Sequence, residues 1–114
     1  GWSQGGYFLV KYLLENPAPV AIDRLYLVAA PSEPDDFGGE DGGDFAFDTI
    51  RVSDLAKKAG RITIMHAEDD FVVPFTHAEN YRTALPDAEF VSFSDRGHFL
   101  QPEFPELVAH LRAA

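Results

Sequence analysis

The chain has 114 residues and a mass of 12.6 kDa, which suits one compact domain, and its 46% hydrophobic and 25% charged residues are typical of a globular protein. Its formal net charge of −10 argues against nucleic acid and anionic membrane surfaces as partners. The absence of cysteine excludes a disulfide framework, a thiol nucleophile, an iron–sulfur cluster and any Cys-based zinc site.

The first predicted element is a helix that follows a serine motif. Residues 1–6 read GWSQGG and contain the pattern G-x-S-x-G around Ser3, which works when a strand precedes the serine and a helix follows it. The helix is predicted at 4–15, where the residues are apolar nearly all round, which indicates a buried helix. No strand precedes Ser3 and the first residue is Gly1 rather than Met, so we expect further residues upstream.

The middle of the chain is predicted to contain a strand, a loop and a short helix. The apolar run at 25–30 predicts a strand covered on both faces. The segment 31–48 is acidic and rich in glycine, which indicates a loop or a rudimentary lid. A short helix is predicted at 54–59, with Ser53 as its cap and Gly60 as its stop.

The C-terminal part alternates strands and helices in the same way. A second strand is predicted at 62–65 and a third at 89–93. Between them Thr76 and Glu79 form a capping-box pattern for a helix that runs to about residue 85. The last helix is predicted at 105–112. Its inward face should carry three apolar side chains: Leu107, Val108 and Leu111.

This order of elements predicts an α/β fold. Strands that alternate with helices form a parallel sheet with helices on its faces, joined by right-handed crossovers. Three strands make a narrow sheet, and a chain of this length buries a smaller share of its surface than a full α/β domain does. We therefore expect residues 1–114 to be the C-terminal part of a single larger domain.

The residues with reactive side chains follow the predicted strands. Asp69 and Asp70 come after the second strand and His98 after the third, while Ser3 precedes the first helix. A serine hydroxyl is a weak nucleophile that needs a base, and a histidine base needs an acid to fix its tautomer. The chain order serine, acid, histidine therefore predicts a nucleophilic site. The spacing alone leaves the choice between Asp69 and Asp70 open.

The turn around Ser3 is predicted to support the charge that develops during attack. It places the serine at a helix N-terminus, where backbone N–H groups point toward a developing oxyanion. The backbone N–H of Gln4 is the first predicted donor, and the second is expected from a part of the protein upstream of Gly1. Glycines at positions 1 and 5 are expected to remove Cβ atoms that would clash in a sharp turn.

The chain resembles the C-terminal half of an α/β-hydrolase and is most similar to the small, nearly capless serine hydrolases of the retinoblastoma-binding-protein type. The resemblance extends over nearly the whole chain. Four segments carry it: GWSQGG at 1–6 as the nucleophile elbow, HAEDDFVVPF at 66–75 as the acid loop, GHF at 97–99 as the histidine loop, and FPEL at 104–107.

The resemblance implies a role for each reactive residue. Ser3 corresponds to the nucleophile and His98 to the general base and acid. In this family the acid lies four residues before the proline of D-x-V-V-P, which implies Asp70 rather than Asp69. Trp2 and Gln4 stand where many members have histidine and leucine, and similar elbows occur in carboxylesterases and acyl-protein thioesterases, so these activities stay open. No metal and no organic cofactor are implied.

Two further sets of side chains bear on ligands. The first set is close in sequence but matches neither H-E-x-x-H nor a tetrahedral metal site, so we do not expect a metal there: His66, Glu68, Asp69, Asp70 and His77. The second set consists of aromatic residues next to the reactive positions and is predicted to line a substrate pocket: Trp2, Phe71, Phe75 and Phe99. Nearby aromatics at helical spacing are expected in the core: Tyr7, Phe8 and Tyr12.

The sequence thus predicts a serine hydrolase that cleaves small carboxylic esters. A noncatalytic module that presents a hydrolase-like cleft to a partner protein is the alternative, so a protein partner stays open. No stretch reaches the roughly 20 apolar residues that span a bilayer, and no signal peptide is recognisable. We expect no membrane partner and a cytoplasmic location.

Overall fold

A computed structural model describes residues 1–16, 22–33 and 49–113. Its elements, in chain order, are α1 Gln4–Glu15, β1 Ile22–Val28, a 3-10 helix Thr49–Lys57, β2 Ala59–Ala67, α2 Thr76–Ala84, β3 Glu89–Phe93 and α3 Pro105–Arg112. The loop or lid predicted at 31–48 lies, from position 34 onward, outside the described residues. None of the helices in the described ranges combines the length and the apolar character needed to cross a membrane.

The three strands form a parallel sheet, as predicted. β2 lies between β1 and β3, with Val28 opposite Met65 and Met65 opposite Val91. Parallel neighbours need a crossover connection, and each crossover here contains a helix: the 3-10 helix before β2 and α2 before β3. This order confirms the α/β class.

The residues before α1 extend the sheet beyond β1. Trp2 forms a parallel bridge with Val28. The N–H of Ser3 donates to the carbonyl oxygen of Val28, and the N–H of Val28 donates to the carbonyl oxygen of Gly1, both at 2.9 Å. Residues 1–3 therefore run alongside β1 and turn directly into α1, which is the strand-to-helix context that the serine pattern requires.

Helices cover both faces of the sheet. Leu25 and Ile64 point to one face, where they join a buried core to which α1, the 3-10 helix and α2 contribute. The largest helical contributors to this core are Tyr7, Val10, Leu13, Leu14, Leu55 and Tyr81. On the opposite face Tyr26 packs edge-on against His110 of α3, with ring centroids 6.2 Å apart. The chain thus has three layers.

Two helices are less buried than predicted. α1 buries one face only, because Phe8 and Tyr12 are 40% and 51% exposed. No residue of α3 is fully buried, and the side chains of Val108 and Leu111 are 43% and 53% exposed. The predictions of a helix buried all round and of an inward apolar face on α3 were therefore wrong. Among the described residues, each of these helices is covered on one side only.

The strand ends also differ from the prediction. β1 begins at Ile22, three residues before the predicted start, because its ladder with β2 starts at the pair Ile22 and Ala59. Gly60 was predicted to stop a helix but lies inside β2. A Cβ at Gly60 would come within 2.9 Å of the carbonyl oxygen of Asp23, so glycine allows the backbones to approach closely here.

The predicted helix caps at Ser53 and Thr76 are not formed. Ser53 lies inside the 3-10 helix, which replaces the predicted helix at 54–59. Thr76 is the first residue of α2, and the cap position is Phe75, which has a helical backbone and no side-chain hydrogen bond to the helix. The N–H of Ala78 donates to the carbonyl oxygen of Phe75 at 3.0 Å. Backbone hydrogen bonds, rather than the predicted side-chain bonds of a capping box, thus begin α2.

Gly5 and Gly6 offer a matched test of packing at the serine turn. A Cβ at Gly1 would clash with Gly6, as expected, but nothing lies within 4 Å of a Cβ at Gly5, so the expected clash there was wrong. A Cβ at Gly6 would lie 2.7 Å from the Cβ of Ala30. We expect Gly6→Ala to lower the free energy of unfolding by about 1 to 3 kcal/mol. Gly5→Ala should preserve it or raise it by up to about 1 kcal/mol, because alanine favours helix.

Urea unfolding followed by circular dichroism measures both effects. The two substitutions are the same chemical change at adjacent positions, and both lie in the first turn of α1. Equal free energies of unfolding for the two variants would contradict this account of the turn.

Candidate active site

Ser3 has an unusual backbone conformation between the strand-like segment and α1. Its φ of 55° and ψ of −132° lie in a region that costs a residue with a side chain about 1 to 3 kcal/mol. Its side chain makes no capping hydrogen bond to the helix. Gln4 is the first residue of α1, so its N–H belongs to the group that has no acceptor within a helix. The turn therefore leaves the serine hydroxyl available beside backbone N–H groups.

Three side chains from separate segments meet beside this turn. The Oγ of Ser3 lies 2.8 Å from Nε2 of His98, and Nδ1 of His98 lies 2.9 Å from Oδ2 of Asp70. Ser3 precedes α1, Asp70 follows β2 and His98 follows β3, so all three lie at the carboxyl edge of the sheet. The structure thus brings together the serine, histidine and aspartate that the sequence singled out.

The hydrogen bonds define which ring nitrogen of His98 carries the proton. A carboxylate can only accept, so Nδ1 of His98 donates to Asp70 and Nε2 accepts from the hydroxyl of Ser3. His98 and Asp70 are both buried, which shields this chain of hydrogen bonds from water. A histidine in this state can take the proton of the hydroxyl when its oxygen attacks an electrophile.

Asp70 is held by its own loop. Its Oδ1 accepts hydrogen bonds from the N–H groups of Val72 and Val73, each at 2.8 Å. This leaves Oδ2 facing His98. Between the two aspartates that the spacing left open, the structure therefore places Asp70 against the histidine.

His66 lies on the far side of Asp70. It is the residue before the last of β2, and its Nε2 is 2.8 Å from the carbonyl oxygen of Val73 and 3.3 Å from Oδ2 of Asp70. Burial lowers the pKa of His66, and the Val73 hydrogen bond and the charge of Asp70 oppose this effect. From the sequence, His66 was weighed as a metal ligand against a packed or hydrogen-bonded histidine at a strand end, and no link to Asp70 was predicted. Its position four residues before Asp70, at a strand end, is the signal that could have linked the two.

Asp69 and Trp2 hold the loop that carries His98. The Oδ1 of Asp69 accepts the N–H of Gly97 at 2.8 Å. The indole N–H of Trp2 donates to the carbonyl oxygen of His98 at 2.9 Å, and the two rings lie 5.4 Å apart. The acid loop and the serine turn therefore both fix the position of the histidine loop. Neither contact was predicted from the sequence.

A charged pair anchors the same loop to α3. The guanidinium of Arg96, next to Gly97 in the chain, donates two hydrogen bonds to the carboxylate of Glu106 in the first turn of α3. The same guanidinium lies over the ring of Phe93, 5.0 Å from its centroid. The pairing raises the pKa of Arg96 and lowers that of Glu106, so the pair stays charged near neutral pH.

Replacements of Asp69 should separate its hydrogen bond from its charge. Asparagine keeps an oxygen that can accept the N–H of Gly97, whereas alanine does not. We expect Asp69→Asn to change the catalytic rate by less than about 2-fold, and Asp69→Ala to lower it by about 5-fold, since one net hydrogen bond is worth about 1 kcal/mol. Ester hydrolysis by the two variants, compared at one pH, measures the difference. A severe loss in Asp69→Asn would instead indicate that Asp69 acts through its charge.

The four aromatic residues predicted to line a pocket fall into two groups. Trp2 is half-exposed beside His98, and the ring of the exposed Phe71 faces Gly97. Phe75 instead packs edge-on against His66 and Phe90, with centroids 5.8 Å away in each case. The Phe99 ring packs against two other aromatic rings, those of Phe93 and Phe104. Trp2 and Phe71 therefore stay as the predicted pocket walls, and Phe75 and Phe99 pack elsewhere.

In the ranges that the structure describes, no group of three or more His, Asp or Glu side chains is placed to hold a metal ion.

A cavity of about 830 Å³ lies between the starts of β2 and β3 and the ends of α2 and α3. This is the amino edge of the sheet, opposite Ser3 and His98.

The fold of the chain is similar to that of a solved structure. No family model matches the chain, and no curated protein sequence is significantly similar to it. The crystal structure of the ydeN gene product from B. subtilis matches with a TM-score of 0.76 and 20% sequence identity. The match covers 98% of this chain and 61% of that one. The likeness confirms the predicted fold, a parallel sheet flanked by helices in three layers.

Proposed function

We propose that the chain carries the Ser-His-Asp triad of a serine hydrolase that cleaves carboxylic esters. The observation that carries the proposal is the unbroken series of hydrogen bonds from Ser3 through His98 to Asp70, at a serine with a positive φ. A capping or structural serine would direct its hydroxyl to the helix N–H groups, and Ser3 does not. The hydrolase-like fold supports the same reading.

The reaction would proceed in two acyl-transfer steps. Ser3 Oγ forms a bond to the ester carbonyl carbon while Nε2 of His98 takes the hydroxyl proton. The bond from this carbon to the alcohol oxygen then breaks, and His98 gives the proton to the departing alcohol. Water repeats the sequence on the acyl enzyme, which releases the carboxylic acid and restores the Ser3 hydroxyl. Asp70 holds the His98 ring and offsets its transient positive charge.

The N–H of Gln4 at the start of α1 is proposed as one oxyanion donor. The resemblance to retinoblastoma-binding-protein-type hydrolases favours ester substrates, and thioester cleavage of the acyl-protein thioesterase type belongs to the same mechanism. Because this chain spans 61% of the length of its structural neighbour, a second donor and further pocket walls are proposed to come from residues outside it.

A fluorophosphonate probe tests the proposal directly. An activated Ser3 should form an Oγ–P bond as fluoride leaves, and the proton should pass to His98. Mass spectrometry of the intact protein is expected to find one adduct. The adduct should be absent from Ser3→Ala and retained in Ser94→Ala, a control at an exposed serine. Failure of the folded intact protein to react would contradict the proposal and favour the noncatalytic binding module.

A further inference from the structure

Two histidines face the same oxygen of Asp70. Its Oδ2 lies 2.9 Å from Nδ1 of His98 and 3.3 Å from Nε2 of His66, while Oδ1 is occupied by two backbone N–H groups of the loop. The Asp70 side chain has no exposed area and that of His66 is 1% exposed, so no water competes from bulk solvent. The proposed mechanism uses His98 and Asp70 and leaves His66 without a role.

We infer that His66 is a positioning residue: its neutral ring donates a hydrogen bond to the loop end at Val73 and lies against Oδ2 of Asp70, so that Asp70 faces His98. This inference rests on the proposed function, because it concerns the acid of the same site.

The proton position of His66 follows from its partners. The carbonyl oxygen of Val73 can only accept, so the Nε2 of His66 that lies 2.8 Å from it carries the hydrogen. This hydrogen is directed to Val73, and the same Nε2 lies 3.3 Å from Oδ2 of Asp70, so its N–H dipole is close to that oxygen. Burial lowers the pKa of His66, so the ring stays neutral near pH 7. A neutral donor orients the carboxylate without cancelling its charge, as a cationic ring would.

The setting of His66 suits a fixed donor. It lies on β2, where it pairs with Ser92 of β3, and Phe75 packs edge-on against its ring. The titratable groups that act on it come from three segments: Asp70 from the following loop, His77 from α2 and His98 from the loop after β3. Asp70 favours a charged ring, and the two histidines oppose it. The hydrogen bond to Val73 thus joins a rigid strand to the loop that carries the acid.

Loss of the donor should alter how strongly Asp70 attracts a proton on His98. A carboxylate oxygen that loses a neighbouring N–H dipole keeps more of its negative charge directed at the remaining partner. Protonation of His98 then becomes easier, so the acidic limb of the kcat/KM profile is expected to move to higher pH by about 0.5 to 1 unit. A purely structural role would lower stability and the amount of active protein but would leave this limb in place.

The test compares His66→Phe, which keeps a ring but no N–H, with His66→Gln, whose amide N–H can reach the Nε2 position. In the intact protein we expect His66→Phe to lose about 10-fold in kcat/KM for a p-nitrophenyl ester and to shift the acidic limb. His66→Gln should stay within about 3-fold of the parent, with an unshifted limb. The control is His77→Gln at another buried histidine, which should change stability without moving the limb.

Nitrogen NMR of the histidine rings tests the inference without relying on turnover. The parent protein should have a neutral His66 with hydrogen on Nε2 near pH 7, and the ring-nitrogen signals of His98 should shift in His66→Phe. A cationic His66, hydrogen on Nδ1 alone, or His98 ring signals unaffected in folded His66→Phe would overturn the inference. Absence of fluorophosphonate labelling in the parent would instead overturn the proposed function, and these ring signals would still decide the role of His66.

Discussion

Ser3→Ala and His98→Ala should each lower kcat for ester hydrolysis by about 10⁴ to 10⁶-fold. Alanine at position 3 removes the atom that forms the acyl bond, and alanine at position 98 removes the ring nitrogen that lies 2.8 Å from that atom and takes its proton. Because the two residues act as one unit, the double variant should be no slower than the worse single variant by more than a few fold. Steady-state assays with a p-nitrophenyl ester measure all three.

The control for this comparison is the stability of each variant. Ser3→Ala keeps a side chain at the same backbone position, so its unfolding midpoint should stay close to that of the parent. Turnover within tenfold of the parent in either folded single variant would contradict the assignment of Ser3 as nucleophile or of His98 as base.

Asp70→Asn should lower kcat by about 10³ to 10⁴-fold while the protein stays folded. The asparagine oxygen can still accept the N–H groups of Val72 and Val73, so the loop keeps its anchor. The amide nitrogen would then face Nδ1 of His98 and require a lone pair there. The ring proton then moves to Nε2. A protonated Nε2 can no longer accept the hydroxyl proton of Ser3.

Asp69→Asn is the matched control, since it makes the same chemical change one residue away. The kcat of Asp69→Asn should exceed the kcat of Asp70→Asn by more than about 10²-fold. A mild Asp70→Asn together with a severe Asp69→Asn would mean that the acid is Asp69 and that the hydrogen bond to His98 has another purpose.

Much of the fold could be predicted because hydrophobic periodicity and strand order are local signals. The ends of α1, β3 and α3 agree with the structure, since each is bounded by proline, by polar residues or by the serine motif. The start of β1 could not be predicted in this way. Its second and third residues, Asp23 and Arg24, are charged, and pairing with β2 makes this stretch part of the strand. The 3-10 helix and the start of α2 similarly depend on backbone contacts, which no particular residue type in the sequence indicates.

The reactive residues were recognisable for a different reason. A serine before the first helix, an aspartate after one strand and a histidine after the next form an order that chance rarely produces. The choice of Asp70 over Asp69 depended on the family resemblance. Their supporting contacts are less visible, because an indole N–H on a backbone carbonyl or a carboxylate on a backbone N–H can arise from many sequences. Trp2 was predicted as a pocket wall, and its bond to the His98 carbonyl requires the turn and the loop to be in place first.

The backbone of Ser3 carries an implication for how this site would change if its chemistry were no longer needed. A φ of 55° with ψ of −132° is natural for glycine and unfavourable for every residue with a Cβ. Selection for a hydroxyl at this position therefore works against selection for stability. In a descendant that had lost the reaction, mutations would be expected to accumulate toward glycine at position 3, which restores stability. Glycine at that position would then mark the loss of activity during evolution more clearly than alanine.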